Sequence, residues 1–160
     1  MIKVMFVCMG NICRSPAAEG IFRSHVRRHG LDENFSIQSS GTGGWHVGSL
    51  PDSRMRSAAL QRGFKLDSKA QQFVAKHFDE FDLILTMDEH NYQHVKAMAK
   101  NPDQLRKIKK FVSFCRVHSV DEVPDPYHGA ADGFELVLDI LDDGCSELLA
   151  QLEKDVKNGR

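Results

Sequence analysis

Short apolar runs alternate with longer segments whose apolar residues recur at helical spacing, and this alternation restricts the chain to a small set of folds. Residues Ile2 to Val7, rich in Val, Ile and Phe, predict a buried first strand. Ala18, Ile21, Phe22 and Val26 then mark one face of a helix, with Ser15 as N-cap, Pro16 as first helical residue and Gly30 as stop. Phe35 and Ile37 alternate with Ser36 and Gln38 as a second strand, and the loop SSGTGGWHVGS leads to a helix from about Pro51 to Arg62 that Gly63 ends. FDLILTM predicts a third strand, and DEHNYQHVKAMAK a third helix capped by Asp88. IKKFVSFC reads as the fourth strand, and the spacing of Phe134, Val137, Leu138, Leu141, Cys145, Leu148 and Leu152 as the stripe of a long last helix.

Strands that alternate with helices imply an α/β fold: a four-stranded parallel sheet with helices on both faces. With 160 residues, 41% of them hydrophobic, the chain suits a single domain with one sizeable core. Ligands of such sheets bind beyond the carboxyl ends of the strands. That edge carries the turn after the first strand, the Trp45 loop and the Asp125 loop.

A formal net charge of −1 gives no global field for nucleic acid or an anionic membrane, so recognition of an anion has to be local. The apolar opening MIKVMFVCMG is too short to span a bilayer and lacks a signal-peptide cleavage site, which predicts a cytoplasmic protein without membrane insertion. The four cysteines, Cys8, Cys13, Cys115 and Cys145, read as free thiols of a reducing compartment, the last two in the core. Cys8 and Cys13 miss the C-x2-C spacing of zinc sites and the eight histidines form no ligand pattern, so neither a metal nor another cofactor is expected.

The stretch VCMGNICRSP carries the chemistry. A turn entering a helix N-terminus presents backbone N–H groups and a positive dipole end, so the loop Met9, Gly10, Asn11, Ile12 and Cys13 forms a cradle for an anion. Gly10 and Asn11 tolerate the left-handed backbone that such a curl requires. Arg14 adds a planar fork matched to two phosphate oxygens. Cys8, at the end of the strand, aims its sulfur at the bound anion; the amide dipoles, Arg14 and a hydroxyl donor from Ser15 all favour the thiolate. A thiolate beside a phosphate site is a nucleophile. Its leaving group needs a proton, and Asp125, stiffened between Pro124 and Pro126, is the candidate acid.

The blocks VCMGNICRSPAAEG, MDEHN and VPDPYHG, with SSGTGGWHVG, PDSRM and FDLILTMDEHN in order between them, resemble the low-molecular-weight protein tyrosine phosphatases over nearly the whole chain. The resemblance implies Cys8 as nucleophile, Arg14 as phosphate clamp, Ser15 as hydrogen-bond donor to the thiolate, Asn11 as loop-shaping residue and Asp125 as general acid. It also implies Trp45 and Tyr127 as aromatic walls of the substrate slot, and Cys13 as a partner for a reversible disulfide with Cys8. The substrate implied is a tyrosine-phosphorylated protein, the product inorganic phosphate, with no metal. Two departures stand out: LDSKAQQF, with Ser68, Lys69 and Gln71, replaces a basic or histidine-containing segment of the family, and His128 follows Tyr127 where the family pairs tyrosines.

Other readings of the same residues remain. A thiol-dependent arsenate reductase uses a similar loop but needs a further cysteine on a mobile segment. A phosphopeptide-binding module should lack the nucleophile or the acid, and a redox sensor would use the Cys8 and Cys13 pair for its own sake. Cys13 and Trp45 also have packing roles open to them, and Asp88, beyond capping its helix, is placed to orient Arg14 through a salt bridge. The charged run KNPDQLRKIKK reads as a solvated face.

Overall fold

The computed structural model describes residues 1–127, 129 and 131–159, without the side chain of residue 131. The His128 departure therefore lies outside the described residues. Four parallel strands run in the order β2-β1-β3-β4, formed by β1 Ile2–Cys8, β2 Phe35–Gly41, β3 Leu83–Thr86 and β4 Ile108–Lys110. The helices are α1 Arg14–Arg28, α2 Ser53–Gln61, α3 His77–Glu80, α4 Glu89–Met98, α5 Pro102–Arg106 and α6 Ala131–Lys157. No helix of the described residues is long and apolar enough to cross a membrane.

The run Ile2–Cys8 is apolar at successive positions because β1 is covered on both faces. Val4, Phe6 and Cys8 point to one side, where α1, α2 and α6 pack. Met5 and Val7 point to the other, into a smaller cluster with Phe73, Phe78, Phe81 and Val95 of α4. Helices thus lie on both faces, as the alternation of elements predicts. Between β1 and β3 the strand order reverses direction, and the carboxyl ends of these two strands deliver Cys8 and, just past β3, Asp88 to one crevice.

Three local expectations are corrected. The helix after the first turn begins at Arg14, with Cys13 at the N-cap position and no side-chain cap, so Ser15 is inside the first turn and its hydroxyl is used elsewhere. Pro16 follows inside that turn, where backbone N–H groups have no intrahelical acceptor to lose. The fourth strand stops at Lys110, because Phe111–Phe114 wind into a 3-10 turn. Phe111 is thereby swung under α6, where Gly144 makes room: a Cβ there would lie 2.4 Å from the Phe111 ring. Cys115 follows this turn half-buried rather than closing a buried strand, and burial together with Asp143 pushes its thiol up to about 12. Cys145 is fully buried on α6. The short helices α3 and α5 have no counterpart in the sequence reading; α5 lies in the charged run and buries none of its residues.

Candidate active site

Cys8 ends β1 and is 3% exposed. The loop that follows turns its carbonyl groups outward: those of Cys8, Met9 and Ile12 accept from the N–H groups of Thr42, Gly43 and Asp52, and that of Cys13 from Ala17. Among the described residues no acceptor is paired with the N–H groups of Gly10, Asn11, Ile12 and Cys13, which leaves them for a ligand in the concavity. The loop can press this close to β2 because Gly41 has no side chain; a Cβ there would lie 2.6 Å from the Met9 carbonyl oxygen.

Asn11 sets the shape of the curl. It is the one non-glycine residue with positive φ (57°) among the described residues, and it is 2% exposed. Its Oδ1 accepts from the Gln71 N–H at 2.9 Å. That fixes the amide orientation, so Nδ2 donates to Ser15 Oγ at 2.7 Å and to Ser39 Oγ at 3.0 Å. Ser39 in turn donates to Glu19 at 2.6 Å. Having accepted from Asn11, the Ser15 hydroxyl has one proton to give, and the sulfur of Cys8 lies nearer, at 3.0 Å, than the Ser40 carbonyl at 3.3 Å. Asn11 and Ser15 stand behind the loop and do not line the cleft. From the LDSKAQQF segment, the Gln71 main chain supports Asn11 and the Gln71 side chain donates to the Ser39 carbonyl at 3.0 Å.

Arg14 is 3% exposed and its fork is held in place from below. Nη1 donates to Asp88 Oδ2 at 2.7 Å and to the Val123 carbonyl at 2.9 Å, while Nη2 lies 3.6 Å from Asp125 Oδ2. Burial works against the charge, but the facing Cys8, Asp88 and Asp125 outweigh it and raise the Arg14 pKa. Asp88 does both things open to it: it caps α4 in a reciprocal box with Asn91 and pairs with Arg14. Cys13 is 4% exposed; burial, with Asp52 adding to it, pushes its thiol far up, and it stays protonated.

A cleft of about 280 Å³ opens above the loop, lined by Cys8, Met9, Gly10, Ile12, Cys13 and Arg14 at its floor and by Trp45, His46, Asp125 and Tyr127 at its walls. That is the lower end of ligand-pocket sizes and suits one side chain. The walls are mostly apolar or aromatic, and the floor offers N–H donors, a guanidinium and a sulfur. Such a site takes a planar apolar group that carries a compact anion. His46 is absent from the sequence reading; its ring packs over Gly10 and lies 6.5 Å from that of Tyr127. Its position next to Trp45 was the available signal.

Residues 3–158 match the family model of the low molecular weight phosphotyrosine protein phosphatases. A crystal structure of a protein tyrosine phosphatase from Entamoeba histolytica superimposes with a TM-score of 0.94 at 41% identity, covering 97% of this chain and 99% of that one. The low molecular weight protein-tyrosine-phosphatase YfkJ of Bacillus subtilis is 37% identical over 97% of this chain and 98% of its own. Its crystal structure superimposes with a TM-score of 0.89. A Streptomyces coelicolor relative of the same description is also 37% identical, over 97% and 96% of the two chains. The chain belongs to the low molecular weight protein-tyrosine phosphatases, a family of hydrolases.

Proposed function

We propose that this protein hydrolyses phosphotyrosine in phosphorylated protein substrates through a phosphocysteine on Cys8. The observation that carries the reading is the meeting, in one cleft, of the Cys8 sulfur, the buried Arg14 fork and the Asp125 carboxyl, which lies 3.6 Å from Arg14. The phosphoryl oxygens accept from the loop N–H groups and the Arg14 guanidinium, which also stabilise charge developing in the transition state. The phenyl ring stands between Trp45 and Tyr127, with Met9 and Ile12 at its foot.

Cys8 attacks phosphorus as the thiolate, with Ser15 donating to it. A sulfur–phosphorus bond forms, the bond from phosphorus to the tyrosyl oxygen breaks, and Asp125 gives its proton to that oxygen. Asp125, now a carboxylate, takes a proton from water as the water attacks the phosphocysteine. Inorganic phosphate leaves and the thiolate returns. No step calls on a metal. All four cysteines are free thiols, the state a reducing cytoplasm maintains and the nucleophile requires.

The test is hydrolysis of a phosphotyrosine peptide under reducing conditions with chelator present, comparing wild type, Cys8→Ser and Asp125→Asn. The expected result is phosphate release by wild type, slower release by Asp125→Asn, none by Cys8→Ser, and acid-quench capture of a phosphorylated protein that Cys8→Ser never forms. Full activity of Cys8→Ser, or peptide binding without phosphate release by wild type, would sink the proposal.

A further inference from the structure

Arg54 lies outside the cleft on the first turn of α2, with its side chain 48% exposed, yet its guanidinium is held by named partners. Nε and Nη2 donate to the two carboxylate oxygens of Asp52 at 3.1 and 2.9 Å, and Nη2 also donates to the Tyr127 carbonyl at 2.9 Å. The guanidinium carbon stands 5.4 Å from the Tyr127 ring centre and 4.9 Å from that of Phe134, within cation–π range of both. A long surface side chain loses rotamer freedom when it is fixed this way, and a merely solvating arginine has no reason to be.

Both ends of this contact lead to the reacting groups. Asp52 caps α2 through Arg54 N–H and Met55 N–H, and its own N–H donates to the Ile12 carbonyl at 2.8 Å, on the loop that carries the nucleophile. The Tyr127 N–H donates to Asp125 Oδ1 at 3.1 Å. An unbroken chain therefore runs from Ile12 through Asp52, Arg54 and Tyr127 to Asp125. The other end of the acid loop is fixed separately, by the Val123 carbonyl on Arg14 and the Val123 N–H on the Met87 carbonyl at 2.8 Å. Between these two clamps stand Pro124, Asp125 and Pro126, and the prolines pass any displacement of Tyr127 on to Asp125. Arg54 holds Asp52 ionised in return: its hydrogen bonds keep the Asp52 carboxyl below the ordinary carboxylate range against the opposing effect of burial.

We propose that Arg54 is a positioning residue for proton transfer, setting the height of Asp125 above the nucleophile loop through the Tyr127 carbonyl. The inference rests on the reading of Asp125 as general acid. Loss of the strap should cost most where the leaving oxygen most needs a proton, and little where it departs unaided.

The experiment measures kcat/KM, which covers every step through cleavage of the phosphorus–oxygen bond, for aryl phosphates whose phenols range from strongly acidic to phenol itself. Asp125→Asn supplies the reference. For Arg54→Gln the expected result is a loss of about ten- to a hundredfold with phenyl phosphate and under about twofold with the most acidic leaving group. Arg54→Lys, which keeps charge but loses the fork, should recover part of it. Arg54→Gln combined with Asp125→Asn should be no slower than Asp125→Asn alone, since both act on one proton transfer. A uniform loss across the series, or full multiplication of the two effects, makes Arg54 merely structural and overturns the proposal while leaving Asp125 as the acid. If Asp125→Asn itself shows no dependence on the leaving group, the acid assignment and the strap fall together.

Discussion

Arg14 and Asp88 are joined by a 2.7 Å ion pair across the crevice between β1 and β3, and the same carboxylate caps α4 through the Asn91 N–H at 2.8 Å. One side chain thus holds the Arg14 guanidinium and starts a helix, and two substitutions separate these tasks. Asp88→Asn keeps a good cap and loses the charge; it should lower kcat/KM about tenfold by loosening the Arg14 fork and leave the urea midpoint nearly unchanged. Asp88→Ala should lose about 1 kcal/mol more, through the missing cap. Equal stability of the two variants would show that the cap contributes nothing.

Asn11 combines a left-handed backbone with two buried hydrogen bonds and a part-buried third. Asn11→Ala should destabilise the protein by about 2–4 kcal/mol, summing the backbone conformation, the unpaired buried hydroxyls of Ser15 and Ser39, and the half-buried Gln71 N–H. Asn11→Gly removes only the conformational part, so it should recover about 1 kcal/mol of that in equilibrium urea unfolding. Activity should remain low in both, because the Ser15 hydroxyl beside the Cys8 sulfur loses the Asn11 amide that holds it. A glycine variant with wild-type activity would mean that backbone shape alone is what the loop needs.

How far the site was legible depended on whether its information was local. The strand, loop and helix around Cys8 are written in contiguous residue types, and the Cys8 to Arg14 spacing sits inside one turn. Asp125 stands far along the chain; its two flanking prolines and the family resemblance singled it out, and the structure brings it to the same cleft. Ser15 shows the opposite case. Its type and place satisfy the rule for a helix cap, but the hydroxyl is taken by Asn11 and Cys8, and the helix starts without it. The Gln71 N–H on Asn11 and the Val123 carbonyl on Arg14 were invisible, because a main-chain group has no residue-type signature. β4 read too long because FVSF has the composition of a strand, and only the notch at Gly144 shows why Phe111 leaves the sheet.

Gly43 seats the only tryptophan of the chain, so its effect can be read optically. A Cβ at Gly43 would lie 1.8 Å from Trp45 Cζ3, and the ring must leave that position in Gly43→Ala. Trp45 is 71% exposed, so little buried surface is lost and stability should change by under about 0.5 kcal/mol. KM for a phosphotyrosine peptide should rise several-fold, inhibition by free inorganic phosphate should stay as in wild type, and the fluorescence change on binding an aryl phosphonate should shrink. Unaltered KM would assign Trp45 to the loop and not to the substrate wall.

His77 gives the fold a pH dependence whose sign can be worked out. Its ring is 4% exposed, with Phe73 and Phe81 at 5.3 and 5.9 Å, and Nδ1 accepts from the Val74 N–H at 3.0 Å, which requires an unprotonated nitrogen there. Burial, with Lys76 assisting and Glu80 opposing, lowers its pKa in the folded protein below the ordinary 6.5. Below about pH 6.5 the unfolded chain therefore binds a proton that the folded one refuses, and stability falls as pH decreases; above it the full contribution is present. The slope from this one group cannot exceed about 1.4 kcal/mol per pH unit. His77→Asn removes the titration while offering an amide oxygen to the Val74 N–H. Urea unfolding of both proteins between pH 5 and 8 isolates the effect from the other histidines: the difference in stability between wild type and variant should shift toward the variant as pH falls. A difference constant across that range would mean that His77 takes up its proton inside the folded core, and that the Val74 contact does not hold it neutral.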